Sequence, residues 1–428
     1  MKLKIKYIYS ACLEVETEDL RLLMDPWFTD GIYDGSWYQF PKIDPFKYIS
    51  KPDAIYISHI HPDHYDPIFL RKLFKKFGEI PIYIPDLKQN FLKLRAQFDG
   101  FNTIPIKEKF FGGTRLVIQP NYTDSLSDID SSLYIFDKSS NKSFLNLNDC
   151  IYQESLTDIL KDLIAQDTKN LDCLALGYMG AGPYPQTFYD INDRDSLISE
   201  AEKKKNKFFE SYKKFTKHFD AEFNLPFAGE YFLGSNLTHL NNYRGNPDAI
   251  EIKNFDERAL VLNPGGSIDL VNKYIDDERT IGLNQEELDK FLIEIGGKRM
   301  KYENDINIPF TDINFLRLLK SALIKASSKS EYQGEYSFLF SIKENENIKK
   351  RYLCNINNLV IEEVSLNEEL NIKKYSEIII DYRYLFGLLT TIYHWDNAAI
   401  GSHYDTRKYP KDFYSRELIN YLNFFSAI

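Results

Sequence analysis

The chain has 428 residues, a length that predicts one large domain with an appendage, or two domains. The 53 Lys and Arg residues against 63 Asp and Glu give a net charge of −10, which disfavours nucleic acid and anionic membranes as partners. No apolar run approaches the roughly 20 residues that a membrane span needs, and the first residues alternate like a strand rather than a secretion signal. The four cysteines are scattered without a CxxC pair, which indicates a reducing compartment and predicts a cytoplasmic protein.

Short β-type runs separated by turn residues dominate the first half of the chain, and helical stretches interleave with them. Period-two alternation or short apolar continuity predicts the strands, and apolar residues at helical spacing predict the helices. We expect strands at Lys2–Tyr9, Leu20–Pro26, Asp53–Ser58, Ile80–Pro85, Thr114–Gln119, Ser132–Asp137, Ser143–Asp149 and Leu171–Met179, and helices at Pro67–Phe77, Leu87–Gln97 and Ser196–Phe219.

This interleaving predicts two sheets covered by helices, a four-layer α/β plan, over residues 1–270. The character of the sequence changes after that point. Residues 271–310 are charged and loop-like, and we expect them to connect two units. Residues 311–428 are expected to form a smaller α+β unit of unassigned role. Its elements are a helix from Phe315 to Ala326 and paired strands at Glu335–Ile342 and Arg351–Asn357.

Three of the seven histidines fall within six residues, directly after the predicted strand at Asp53–Ser58. They are His59, His61 and His64, and Asp63 stands among them. His59 and His61 are two positions apart, so an extended backbone points both to the same side, and Asp63 and His64 then turn towards a second site beside the first. Imidazole and carboxylate groups suit Zn²⁺, Fe or Mn²⁺, and two such ions roughly 3.5–4 Å apart activate a bridging water. The cluster predicts a site for one or two divalent metal ions.

The HxHxDH pattern at residues 59–64 resembles the signature of the metallo-β-lactamase superfamily. The segment around Asp25–Trp27 and the stretches LNLNDC, GYMGAGPYPQTF, LPFAGEYF, LNPGGSIDL and HWDNAAIGSHYDTR are similar to one branch of it. That branch contains CMP-N-acetylneuraminate hydroxylase, ascorbate-phosphate lactonase and N-acyl-phosphatidylethanolamine phospholipase D, and the resemblance is strongest for the catalytic part of the hydroxylase. It implies an αββα sandwich with the metals at one edge of the two sheets, which agrees with the layer plan.

The resemblance also implies further metal ligands. An Asp at a strand end bridges both metals in the superfamily, and Asp149 stands in that position. Two histidines that the superfamily supplies are not matched, the first because residues 120–132 contain no His. Oxygen ligands in their place would favour Fe or Mn over Zn. The candidate substitutes are Asp124 and Asp128 for the first histidine, and Glu230 and His239 for the second.

Three segments are candidates for a substrate pocket beside the metals. They are the DPW triplet, the ring-rich GAGPYPQTF stretch after a predicted buried strand, and the aromatic C-terminal segment with two more histidines. Each could instead be a rigid turn or part of the core. The pocket candidates are Trp27, Tyr184, Gln186, His394 and His403.

Three functions are compatible with these features. The first is a metal-dependent hydrolase of a small polar substrate, phosphorylated or sugar-like, in which Asp63 orients a metal-activated water. The second, implied by the resemblance, is an iron-dependent hydroxylase of an amino sugar or nucleotide sugar. The related hydroxylase receives electrons through a Rieske module held by two Cys and two His; no cysteine here has a histidine at the needed spacing, so this function requires a separate redox partner. The third is a non-catalytic, degenerate scaffold.

Overall fold

The computed structural model describes residues 1–123, 128–150, 154–332 and 334–428. Its strands are β1 (Leu3–Tyr9), β2 (Cys12–Thr17), β3 (Arg21–Met24), β4 (Trp37–Gln39), β5 (Ala54–Tyr56), β6 (Ile82–Pro85), β7 (Thr103–Ile106), β8 (Glu108–Phe111), β9 (Thr114–Pro120), β10 (Ser131–Asp137), β11 (Lys142–Asn146), β12 (Cys173–Gly177), β13 (Phe223–Phe227), β14 (Tyr231–Leu233), β15 (Leu262–Asp269), β16 (Tyr274–Glu278), β17 (Ser337–Glu344), β18 (Asn347–Asn355), β19 (Val360–Val364), β20 (Tyr375–Asp381) and β21 (Tyr404–Tyr409).

The helices lie between and around these strands. They are α1 (Ile32–Gly35), α2 (Pro67–Phe77), α3 (Phe91–Phe98), α4 (Glu154–Ala165), α5 (Arg194–Phe219), α6 (Gln285–Gly296), α7 (Tyr302–Asp305), α8 (Phe315–Lys329), α9 (Tyr382–Leu389), α10 (Trp395–Ile400) and α11 (Arg416–Asn423), with short 3₁₀ helices at Pro45–Lys47, Ser235–Tyr243, Ala249–Asn254 and Phe310–Asp312. In the described parts of the chain, no helix combines the length and apolar character that crossing a membrane requires.

Two large sheets pack face to face. In the described ranges the first has eight strands in the order β16-β15-β1-β2-β3-β5-β6-β7, and the second has six in the order β13-β12-β11-β10-β9-β8. Apolar side chains from both sheets, such as Leu22 and Leu133, share one buried cluster between them. The outer face of the first sheet packs on α2 and α3, and that of the second packs on α4 and α5. The sequence-based prediction of a four-layer αββα sandwich is therefore confirmed.

The segment 271–310, expected to be loop-like, contains regular structure. β16 pairs with β15 at the edge of the first sheet, and α6 buries Phe291 and Ile295. β16 is exposed and acidic, as edge strands often are, so its sequence lacks the apolar pattern by which strands are recognised. Whether the chain divides into domains near residues 270 and 310 stays a prediction.

The C-terminal residues form a third sheet, in the order β19-β18-β17-β20-β21, with an apolar core of its own that includes Phe340 and Leu385. This unit is tied to the sandwich by buried hydrogen bonds. The Tyr384 hydroxyl donates to Asp34 at 2.7 Å, and the Thr406 N–H donates to the Thr187 carbonyl at 2.8 Å. The C-terminal unit therefore packs directly against the edge of the sandwich where the histidines lie.

Candidate metal centre

The histidine loop begins at the carboxyl end of β5, where the chain is held by the neighbouring strand. β5 runs parallel to β3, so the ends of both strands meet at one edge of the first sheet. Asp25 leaves β3 at this edge with a φ of 41°, a region that non-glycine residues rarely adopt and that is often found at functional sites. Its fully buried carboxylate accepts the Ser58 N–H at 2.7 Å and the Ser58 hydroxyl at 2.6 Å. These bonds fix where the loop starts.

The other end of the loop is fixed by the first turn of α2. Asp66 caps this helix by accepting the N–H groups of Ile68 and Phe69. Its second oxygen accepts the N–H groups of Phe28 at 3.1 Å and Thr29 at 2.9 Å. The loop is therefore held at both ends by hydrogen bonds to a buried aspartate.

The opposite wall of the site comes from the second sheet. β10 and β11 pair in antiparallel register, so the residue before β10 and the residues after β11 lie at the same edge. Asp130 and Asp149 occupy these positions. The Ser131 hydroxyl donates to the Ser58 carbonyl at 2.9 Å, which joins the two sheets directly beneath the histidines.

Hydrogen bonds determine which nitrogen of His59 and His64 is free. The Ser58 hydroxyl donates to Asp25, so its oxygen accepts from His59 Nδ1 at 2.9 Å. The Asp25 carboxylate accepts from His64 Nδ1 at 2.9 Å. In the neutral form of each ring, Nε2 carries the lone pair, as in metal sites where an outer carboxylate or hydroxyl orients a ligand histidine. His64 Nε2 is buried and has no hydrogen-bond partner among the described residues.

His61 is oriented the opposite way round. Its Nε2 donates to the Asp396 carboxylate at 2.9 Å, which leaves Nδ1 facing His59 Nε2 at 2.9 Å. Two nitrogen lone pairs at this distance repel each other unless a proton or a cation lies with them. Ligand atoms of His59, His64 and Asp149 also lie within 4.8 Å of one another, so these three residues could hold a metal ion together. The free nitrogens of all three histidines fit that role.

Asp63 lies at the rim of the same cluster. Its Oδ1 accepts the buried Tyr33 hydroxyl at 2.5 Å, and its Oδ2 lies 3.5 Å from His64 Nε2. Tyr33 therefore fixes the carboxylate while one oxygen stays directed at the histidines. Burial and the negative charge of Asp63 raise the pKa of Tyr33 well above its ordinary value, so this hydroxyl keeps its proton.

The negative charges around the histidines favour a bound cation. Burial alone would lower the pKa of His64, but Asp149, Asp63 and Asp25 outweigh it and raise that pKa well above its ordinary value. In the same way Asp396 overcomes burial and raises the pKa of His61 to about 9. Since carboxylates outnumber imidazoles here, a divalent ion would neutralise charge that protons otherwise have to balance. The carboxylates are Asp25, Asp63, Asp130, Asp149 and Asp396.

The candidate substitutes for the unmatched histidines lie apart from this cluster or outside the description. Asp128 accepts the N–H of the residue five positions earlier at 2.8 Å, and Asp124 lies outside the described residues. Glu230 is buried in an ion pair with Arg279. His239 is exposed on a 3₁₀ helix. The structure does not bring Asp128, Glu230 or His239 into the histidine cluster.

The five pocket candidates make contacts that position the surrounding segments. Gln186 donates to Ser402 Oγ at 3.1 Å, and His403 Nε2 donates to the Tyr33 carbonyl at 2.7 Å. His394 caps α10 by accepting the Asp396 N–H at 3.3 Å, which orients the carboxylate that holds His61. The other two differ in exposure, with Trp27 buried and Tyr184 37 % exposed. A role for these residues in binding substrate stays a prediction.

Four residues of the centre were not predicted from the sequence to belong to a metal site: Tyr33, Asp25, Asp130 and Asp396. Asp130 belongs to the histidine-free segment 120–132, directly before β10, and its carboxylate lies 3.9 Å from His59 Nδ1. Burial raises its pKa to about 7. The signal for Asp130 was its position immediately before a buried strand, next to the sheet edge where Asp149 was expected.

An αββα sandwich with histidines and carboxylates gathered at one edge of its sheets is the arrangement that the resemblance to the metallo-β-lactamase superfamily implies. Residues 4–124 match the family described as "Beta-lactamase superfamily domain". This part of the chain is therefore similar to that superfamily, and the described residues have the sandwich fold that the similarity implies.

Two curated proteins and one solved structure are similar to parts of this chain. The chain is 25% identical over 286 residues to the human "Inactive cytidine monophosphate-N-acetylneuraminic acid hydroxylase", covering 63% of this chain and 54% of that protein. It is 24% identical over 299 residues to the cytidine monophosphate-N-acetylneuraminic acid hydroxylase of Pongo pygmaeus, covering 66% of this chain and 49% of that protein. The chain thus spans about half the length of these curated relatives. Among solved structures, Igni18, a metallo hydrolase from Ignicoccus hospitalis, aligns with 16% identity and a TM-score of 0.41, covering 63% of this chain and 98% of that chain.

Proposed function

We propose that the chain is a metal-dependent hydrolase that acts on a small polar substrate. The observation that carries the proposal is the convergence of one nitrogen from each of the three histidines. The buried Nε2 of His64 makes no hydrogen bond within the described residues, has Asp149 Oδ2 at 3.4 Å, and is among the ligand atoms that lie within 4.8 Å of one another. We assign His59, His61, His64, Asp63 and Asp149 as the residues that hold one or two divalent ions, with Asp130 as a further candidate. A bound ion would supply Lewis acidity and an activated water.

The side chains around the ions have separate tasks in this proposal. Asp63 orients the attacking water and accepts its proton, because Oδ1 is fixed by Tyr33 while Oδ2 faces the site. The Tyr33 hydroxyl holds Asp63 in this orientation and keeps its own proton. Asp25 and Asp396 bind the outer nitrogens of His64 and His61 and fix the direction of both rings.

A second function, iron-dependent hydroxylation of an amino sugar or nucleotide sugar, is supported by two observations. The two curated relatives named above are a cytidine monophosphate-N-acetylneuraminic acid hydroxylase and an inactive human one, and a site in which carboxylates replace the unmatched histidines would be richer in oxygen, which favours Fe or Mn. All four cysteines are buried and unpaired. In this proposal the electrons come from a separate redox partner.

The two functions make opposite predictions for the same preparation. Protein loaded with Zn²⁺, Mn²⁺ or Fe²⁺ would be assayed against phosphodiesters, esters and lactones, and separately for oxygen consumption with an added reductant. Hydrolysis without reductant supports the first function. Reductant-dependent oxygen consumption that rises with a nucleotide sugar, together with no hydrolysis, would refute it in favour of the second.

Asp63→Asn tests the assigned proton acceptor. We expect it to lower kcat by about 100-fold or more. Asp53→Asn is the matched control, since Asp53 is exposed and accepts only a backbone hydrogen bond from Arg21. Full activity in Asp63→Asn would rule out its proposed role.

A further inference from the structure

A cavity of about 250 Å³ lies where the C-terminal unit meets the segment between β12 and α5. Paired residues of β20 and β21 form its floor, because positions two apart on a strand share one face. Side chains of α10 and α11 cover this floor, and the Pro183–Phe188 segment of the sandwich closes one side. The floor residues are Ser376, Ile378, Thr406 and Lys408.

The cavity has apolar, aromatic walls and one cation. Phe188 and Trp395 are among the rings that line it, and Lys408 Nζ lies 4.9 Å from the centre of the Phe188 ring. Within the described residues, no carboxylate lies at ion-pair distance from Lys408, and burial lowers its pKa. A half-buried ammonium group without a counter-ion is costly, so an anionic group of a bound molecule placed beside Lys408 would be stabilised.

The cavity adjoins the candidate metal centre through one residue, Asp396, which lies between them. Asp396 lines the cavity, and the same carboxylate lies 2.9 Å from His61 Nε2. A molecule that fills the cavity therefore ends beside a residue that orients a proposed metal ligand. Ligand pockets commonly combine an apolar wall with a few placed polar groups in this way.

We propose that this cavity binds a small amphipathic acid whose carboxylate or phosphate pairs with Lys408. The proposal is independent of the proposed function, since binding in the cavity needs no metal. The apolar walls favour an aliphatic or aromatic body, and Lys408 selects against a cationic head group.

Four probes with one common chain test the ligand class: octanoate, octyl phosphate, octylammonium and octanol. Their binding to the full chain would be measured by calorimetry after chelator treatment, and followed by the fluorescence of Trp395. We expect at least one of the two acids to bind about tenfold or more tightly than octanol, because a charge-assisted hydrogen bond replaces a neutral contact, and octylammonium to bind no better than octanol. The tighter of the two acids shows whether the cavity prefers a carboxylate or a phosphate.

Three variants locate the probe. Lys408→Met should remove the preference for acids, whereas Lys411→Met, a change at a nearby exposed lysine, should keep it. Ala399→Leu fills the cavity from α10 and should weaken all four probes. The ligand class is refuted if no probe binds, if octylammonium binds as tightly as the acids, or if Ala399→Leu leaves affinity unchanged.

A further measurement separates this proposal from the proposed function. In protein loaded with Mn²⁺, the bound acid should show strong paramagnetic relaxation of its proton signals, and acid binding without such relaxation would refute its placement in this cavity beside Asp396. Protein that binds the acid but no metal would refute the hydrolase and still support the ligand class.

Discussion

Asp25→Asn tests how the outer carboxylate prepares His64 for a metal. In the wild type, Asp25 accepts from His64 Nδ1 at 2.9 Å and from both donors of Ser58. An asparagine can keep its oxygen on the Ser58 N–H only by turning its amide towards the ring. That amide donates to His64 Nδ1, so a neutral His64 carries its proton on Nε2 instead. The nitrogen that faces the site then has no lone pair to offer a metal.

The expected loss follows from this change of tautomer. Substitution of such outer partners typically lowers metal affinity by about 10–100-fold, which corresponds to about 1.4–2.7 kcal/mol. The affinity would be measured by competition with a chromophoric chelator at fixed pH, and thermal unfolding would be followed in parallel on the metal-free protein.

Asp137→Asn provides the control. Asp137 is equally buried, at 0 % exposure like Asp25, and accepts hydrogen bonds from Thr114, Ser139 and Ser140 at the end of β10 opposite Asp130. We expect this variant to lose stability and to keep its metal affinity. Wild-type affinity in Asp25→Asn, or an equal loss in both variants, would refute the reasoning.

Four further results are expected. Asp130→Ala should lower the number of metal ions bound or their affinity, measured by elemental analysis and titration; unchanged binding would exclude it as a ligand. Metal affinity should rise from neutral pH towards 9, because a metal must displace a proton from His61, whose pKa is raised to about 9, and one from His64, whose pKa is also raised; a flat profile would contradict this. Asp396→Asn should flatten this dependence of metal affinity on pH, since the variant lacks the carboxylate that raises the pKa of His61. An NMR titration of the His61 ring would show the lower pKa. Arg279→Met should lower the free energy of unfolding by about 3–5 kcal/mol, because it leaves buried carboxylates unpaired. The variant should still bind metal, and a loss of metal would indicate that Glu230 is a ligand.

The parts of this fold that could be predicted from sequence are those with local causes. α2 has the predicted bounds Pro67–Phe77, because an aspartate cap, a proline at the first turn and Gly78 at the end mark it within one stretch of chain. The strand before the histidines is likewise an apolar run that ends in polar residues. The histidine spacing itself is a local signal.

The rest depended on contacts between distant segments. Asp396 meets His61 across 335 residues of sequence, and only the packing of the C-terminal unit brings them together. Asp25 reaches Ser58 because β3 and β5 are parallel neighbours, a pairing that no single segment encodes. Asp130 precedes a strand in a segment without periodic pattern, so Asp124 and Asp128 were equally good candidates by sequence alone.

The identity and number of metal ions in protein purified without added metal test the central claim most directly. We expect elemental analysis to find one or two equivalents of Zn, Fe or Mn per chain, and His61→Ala to lower that number. Protein that contains no metal, and that gains none on reconstitution with these three ions, would contradict the account and indicate a degenerate scaffold.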